Sequence, residues 1–254
     1  PVMWITHQLY NTLVEIRPDL RIHPSLARAW EISTDGLTYR FHLRNDVYFH
    51  DNPAFKDGKG RRLVADDVVY SLSRIIDPAV ASPGAWIFRG RVDEVRPFQA
   101  IDTFTFEIKL IRPFPPILGI LSMQYCSIVA KEAVSNYGKD FRRNPVGSGP
   151  FTLSSWEEGQ NLILHKFTRY FEKDSSGNSL PYLDAVKLSF LDNKATEFME
   201  FRQGRLDFVN DIEASFKDEI LTKTGNLKKD WEGKIQLFKT PYLNTEYLGI
   251  LFDT

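Results

Sequence analysis

The chain is short of the features that would announce a function outright. It has one cysteine in 254 residues, Cys126, so no intramolecular disulfide can form, and the thiol fits a small core position. It has no charge imbalance. With 32 basic residues against 33 acidic ones, no global field draws in nucleic acid or an anionic membrane. It also has no long apolar run. The best candidate, Phe114 to Ala130, opens on Pro115-Pro116 and is interrupted by Ser122, Gln124 and Ser127, which excludes a membrane span. Internal repeats and low-complexity tracts are missing too.

Catalytic patterns are equally scarce. There is no nucleophile elbow of the G-x-S-x-G kind and no H-E-x-x-H, and the small residues Gly147-Ser148-Gly149 lack the Lys-Ser or Lys-Thr of a phosphate cradle. Asp66-Asp67 and Glu157-Glu158 are paired only in sequence. Neighbours on a helix or strand point apart, so neither pair is an acid/base dyad. His42, His50 and Asp51 invite a metal, but a two-residue period sets His42 beside Arg40 and Arg44 on a wet face, and no further ligand has matching spacing. The expectation is no enzyme, no metal and no cofactor.

What is present describes a globular α/β protein. Apolar and charged fractions of 43% and 26% are those of an ordinary soluble protein, long enough for one large domain or two smaller ones. Trp4, Ile5, Leu9, Leu13 and Val14 have helical spacing. Asp35-Gly36 is a hairpin turn, after which Tyr39, Phe41 and Leu43 alternate with Arg40, His42 and Arg44. Asn52 to Arg62 reads as an exposed, glycine-rich loop. Ala65 to Ile76 is a helix with Asp66 and Asp67 at its positive end and Val64 where a capping side chain would be expected. Asp102 to Leu110 alternates as a strand, and Lys131 to Gly138 is a short helix ending on glycine. Further on come a helix from Ala195 to Gln203 with Gly204 at its end, and strands at Leu206 to Val209, Lys234 to Lys239 and Tyr242 to Phe252.

The chain is organised around Asn144 to Trp156. Pro145 favours an extended Asn144, Gly147 and Gly149 permit unusual backbone angles, and Pro150 removes a donor where an alternating run begins. Phe151, Leu153 and Ser155 then face one way, a polar turn holds Gly159, and Leu162 and Leu164 return. The result is a hairpin with a glycine-proline neck.

Two stretches carry a resemblance. The neck, Gly147-Ser148-Gly149-Pro150-Phe151 followed by Trp156, is one. The other is the series Pro24, Leu26, Ala27, Trp30, Asp35-Gly36, Tyr39, Phe41, Leu43-Arg44, then Val47 and Phe49-His50-Asp51. Together they resemble the family 5 solute-binding proteins, the oligopeptide- and dipeptide-binding receptors of ABC importers. The resemblance runs from about Tyr10 to Thr254. It implies an α/β fold of the periplasmic-binding-protein-like type II kind (cluster C), with a discontinuous first lobe holding a mixed sheet and a second lobe inserted into it. Lobe I would comprise residues 1–12 and 131–254, lobe II residues 13–130, and lobe III would be absent from this chain. With Pro1 at one end and Phe252-Asp253-Thr254 at the other, the chain is expected to be a piece of a longer protein. An export signal and a lipid-anchor cysteine would lie upstream.

The function implied is capture of peptides, outside the cytoplasmic membrane, for ABC importer permease subunits. The protein would be periplasmic or on the cell surface, a monomer, with no nucleic-acid partner. The alternatives are a non-peptide solute such as a nickel chelate, sugar or opine, or a sensory module borrowing the fold. Resemblance also nominates the ligand-lining residues: Trp86, following Ser82-Pro83 with Gly84 at the nearest family position, together with Asn210, Asp211, Tyr242 and Tyr247. A buried loop anchor is the competing role for Trp86.

Overall fold

The computed structural model describes residues 2–210, 212–239 and 247–250. They divide into two compact units, Pro1–Ser189 and Phe190–Thr254.

The first unit opens with α1 (Val2–Leu9), shorter than the apolar spacing suggested because Leu13 and Val14 turn out to belong to the start of a strand pair, β1 (Val14–Ile16) against β2 (Ile22–Pro24). The chain then forms β3 (Ala27–Ile32) and β4 (Thr38–Leu43), joined through Gly36 at φ 69°, a left-handed angle that glycine adopts without a Cβ penalty. These join β5 (Phe98–Asp102) and β6 (Thr105–Lys109) in an antiparallel sheet of order β3-β4-β6-β5. The segment read as one strand from Asp102 is therefore a hairpin corner. Asp102 Oδ1 accepts from Phe104 N at 2.8 Å, a side-chain turn bond that competes with continued pairing.

One face of this sheet is wet. Glu31, Arg40 and Glu107 share a register row, with Arg40 Nε donating to Glu107 Oε1 at 2.6 Å. The opposite face carries Phe41, Phe106 and Ile108, all fully buried. Across it lies α2 (Ala65–Ile76), which presents Val68, Leu72 and Ile75 to β5 and β6. Burial of each such side chain contributes roughly 1.5–3 kcal/mol. The apolar N-cap residue Val64 is not left wanting: its N–H donates to Asp67 Oδ2 at 2.9 Å, half of a capping box.

α3 (Ile117–Leu121) and α4 (Lys131–Tyr137) follow, the latter ending on Gly138 at φ 52°. The neck then leads into a second antiparallel sheet of β7 (Phe151–Glu157), β8 (Asn161–Lys166) and β9 (Ala185–Ser189). A β-bulge between Leu153 and Ser155 shifts the register, so Trp156 takes the partly buried side and Ser155 is exposed, contrary to simple alternation.

The second unit holds α5 (Lys194–Arg202) and α6 (Ala214–Ile220). Asn193 caps α5, its Oδ1 accepting from Ala195 N at 2.8 Å and Thr196 N at 3.0 Å. The expected strands at 206–209 and 234–239 are irregular backbone instead; apolar alternation makes a strand only where a neighbouring edge completes the ladder. The strand expected over 242–252 falls largely outside the described residues.

Candidate ligand-binding site

The neck shows why its residue types are needed. Neither Gly147 nor Gly149 has positive φ, so conformational freedom is not the reason. Contact is. A Cβ on Gly147 would lie 2.0 Å from Leu9 O, and one on Gly149 2.5 Å from Gln8 O, so any larger residue would collide with the backbone leaving α1. Gly149 N donates to Leu9 O at 3.0 Å.

His50 closes the other side. It is buried, its backbone N donates to Gly147 O at 2.8 Å, and its ring lies edge-on to Phe167 with centroids 4.8 Å apart. Nε2 lies 2.9 Å from Gly149 O and Nδ1 lies 3.4 Å from Gly147 N. This fits one neutral tautomer, with Nε2–H donating to the carbonyl and bare Nδ1 accepting from the amide. Burial pushes the pKa down to about 4, with the Gly149 carbonyl and Asp51 opposing. His50 is thus a clasp across the neck. Asp51 beside it accepts from Gly60 N at 3.0 Å and pairs with Lys59 and Arg169, which pins the 52–60 loop. That loop is not the exposed insertion its composition suggested: Phe55 is buried against Phe49, and a Cβ on Gly60 would lie 1.9 Å from Phe49 O.

A polar cluster beside β1 has no signature in the sequence. Ser148 Oγ donates to Asn11 Oδ1 at 3.1 Å, and Asn11 Nδ2 donates to the Tyr170 hydroxyl at 3.4 Å. Glu172 has its pKa raised by burial and then by Glu15, with the Tyr170 hydroxyl, Arg17 and Arg44 opposing. Burial and the Glu172 charge likewise raise Tyr170. These residues sit at scattered positions, so only the fold joins them.

The nominated ligand residues fall as follows. Trp86 lies in a helical turn, Ala85–Ile87, that buries Ile87 and leaves the indole 54% exposed, so it is not a buried loop anchor. Arg91 Nη1 holds the turn by donating to Trp86 O at 2.7 Å and Ile87 O at 2.9 Å. In the second unit, Asn210 lines a hollow of about 750 Å³ whose walls include Phe201, Leu206, Phe208, Ile220 and Phe238. Tyr247 is 87% exposed and does not line it. Asp211 and Tyr242 lie outside the described residues. No group of three or more His, Cys, Asp or Glu among the described residues is placed to hold a metal, and no helix among them is long and apolar enough to cross a membrane. His42 is instead paired, its Nε2 lying 3.0 Å from Glu31 Oε1.

The described residues thus show an α/β architecture with an exposed Trp86 and a tightly clasped neck. Comparison with known proteins specifies it: residues 21–253 match the model of the bacterial extracellular solute-binding proteins, family 5, and the chain belongs to that family. It is 30% identical to the dipeptide-binding protein of Escherichia coli K12 over 95% of this chain and 44% of that protein. It is 28% identical to heme-binding protein A of Haemophilus influenzae over 96% of this chain and 44% of the relative. Among solved structures, the periplasmic binding protein DppA of Helicobacter pylori in complex with the peptide STSA superposes with a TM-score of 0.73 at 29% identity, covering 84% of this chain and 43% of that one. The fold is that of the type II periplasmic binding proteins. The chain spans less than half the length of these relatives.

Proposed function

We propose that the chain is part of a receptor that captures di- or oligopeptides outside the cytoplasmic membrane and hands them to the permease subunits of an ABC importer, without chemistry. The observation that carries this reading is family membership along nearly the whole chain, with relatives named for dipeptide binding and for a bound tetrapeptide. An extended peptide suits such a fold because its backbone pairs with protein main chain while pockets accept varied side chains. The receptor works as a monomer, lipid-anchored upstream.

The lobe division belongs to the same proposal: residues 1–12 and 131–254 in lobe I, 13–130 in lobe II, a third lobe outside this chain. The placement of β3-β4-β6-β5 and β7-β8-β9 in different sheets supports it. Trp86, Asn210, Asp211, Tyr242 and Tyr247 line the ligand cleft in this reading, and the exposed indole of Trp86 supports its part.

Calorimetric titration of a mixed di- to pentapeptide library into this chain and into the full-length protein tests the proposal, with heme as a competing ligand. Peptides should bind the full-length protein, and this chain at least a hundredfold more weakly, because two lost charged hydrogen bonds to the peptide termini would remove roughly 1.5–3 kcal/mol each. Heme binding without peptide binding would overturn the peptide assignment. Equal peptide affinity in both would place the site within these residues rather than in a closing cleft.

A further inference from the structure

Where the neck meets the β7 bulge, the surface dips into a hollow of about 260 Å³ lined by Asn52, Arg143, Asn144, Leu153, Ser154, Ser155 and Trp156 together with Pro145. It takes no part in the ligand reading above, and Trp86 does not line it. Its walls are mostly polar, and part of their hydrogen-bonding capacity is spent: Asn144 Nδ2 donates to Asp140 O at 3.1 Å, which leaves the Asn144 side-chain oxygen as an acceptor. Asn52 Oδ1 accepts from the Tyr137 hydroxyl at 2.8 Å and from Ala54 N at 2.9 Å. Two donors on that oxygen fix the amide orientation, so the Asn52 NH₂ is left as a donor with no partner among the described residues. The Ser154 and Ser155 hydroxyls likewise have no partner among the described residues. The bulge between Leu153 and Ser155 leaves Ser154 without a register partner while Ser155 stays paired with Ile163, and both are exposed.

Arg143 is the one charged residue among those lining the hollow. Arg142 and Arg143 both pair with the single carboxylate of Glu158, Arg143 Nη2 at 3.2 Å from Oε1, so two guanidiniums share one anion. Both also lie over the Trp156 ring, at 4.9 Å and 5.9 Å from its centroid. A guanidinium, an amide NH₂ and two hydroxyls belong to residues lining the same hollow as an indole, and these donors outnumber the one amide oxygen of Asn144, the hydroxyls being able to serve either way. That chemistry suits an oxyanion, and the indole offers an apolar plane for a small organic body attached to it.

We propose that this hollow is a second binding site, for a small oxyanion, carboxylate or phosphate, with Arg143 as the charged contact, Asn52, Ser154 and Ser155 as neutral donors, and Glu158 as an internal competitor that the ligand displaces. The test is titration of this chain with citrate, inorganic phosphate and uncharged glucose, read by calorimetry and by Trp fluorescence. Citrate or phosphate should bind saturably and glucose should not; which of the two binds tighter distinguishes a carboxylate from a phosphate ligand. Arg143→Gln should weaken binding about tenfold or more, as loss of a charge-assisted contact does, whereas Glu158→Gln should tighten it several-fold. Both positions are exposed, so neither variant threatens folding, and circular dichroism verifies this. Absence of saturable anion binding, glucose binding as well as the anions, or an Arg143→Gln affinity equal to wild type would each overturn the site. So would a Glu158→Gln variant that binds more weakly, since Glu158 would then support the ligand rather than compete with it.

Discussion

The two units spend their apolar residues very differently. In residues 1–189 a single cluster runs from Leu13 to Phe171, through Phe41, Phe49, Phe88 and Phe106, and α2 and the neck both lean on it. In the unit from Phe190 onward, Phe198 and Ile220 are the buried large apolar residues among those described, while Phe208 and Phe238 are 58% and 67% exposed. The sequence patterns of the two regions are nevertheless alike, alternating apolar residues between glycine and proline breaks. What separates them is partnership: β4 lies between β3 and β6, whereas 206–209 and 234–239 are irregular. Alternation expresses a capacity for pairing, and a neighbouring edge converts it into a strand.

The comparison is most directly broken in the two cores. Phe41→Ala should destabilise the first unit by about 3–5 kcal/mol, since its fully enclosed ring leaves a cavity that the sheet and α2 cannot close. Phe198→Ala should cost less, about 2 kcal/mol, because Phe198, itself buried, stacks on Phe216, which is only partly buried. Urea unfolding followed by circular dichroism gives both values, and equal losses would show that the second unit has as dense a core as the first.

A second comparison lies within one hairpin. Gly147→Ala drives a methyl into Leu9 O and should cost roughly 3 kcal/mol or more, the upper range of overpacking, because backbone rather than a side-chain tip must move. Gly159→Ala meets open space at φ 75° and should cost about 1 kcal/mol, the left-handed penalty alone. Thermal melts of the two variants should differ accordingly, and a Gly147→Ala protein as stable as Gly159→Ala would remove close packing as the reason for the neck glycines.

The smallest effect at neutral pH, and one that grows as acid is added, belongs to His50. Its folded pKa of about 4 lies below the ordinary 6.5, so on acidification the unfolded chain takes the proton first. The stability contributed by the neutral ring is fully present above pH 6.5 and is lost as pH falls toward 4, to a total of about 3 kcal/mol. His50→Gln keeps a donor for Gly149 O without titrating, so its stability should fall less steeply across that window. Parallel slopes for wild type and variant would remove His50 as the group responsible.

Much of the local structure could be read before the fold was known. α2 runs from Ala65 to Ile76 as its apolar stripe and acidic first turn required, and the Asp35-Gly36 hairpin and the helix end at Gly138 lie where their turn residues put them. Readings that failed did so where tertiary contact overrides a local rule. The neck glycines have ordinary φ and are small because α1 passes against them; Phe55 ties down a loop of polar composition; the bulge reverses the parity of Ser155 and Trp156. The candidate site was legible only by analogy. Trp86 is exposed and its part in ligand binding rests on the proposal alone, while nothing in the spacing of Glu15, Tyr170 and Glu172, or of Asn52 and Arg143, announces that the chain brings them together.

The clasp at the neck also has a kinetic side. His50 bonds to residues 97 and 99 positions further along, so making it closes a very long loop, an entropic cost met only once the intervening sheet and helices are in place. It should therefore form after the rate-limiting step of folding. Loosening it with His50→Gln should leave the refolding rate almost unchanged and speed unfolding, and a chevron plot whose folding arm shifted instead would put the clasp in the nucleus. A late, long-range tie of this kind acts as a latch on a finished structure: it sets how long the native state lasts rather than how quickly it is found.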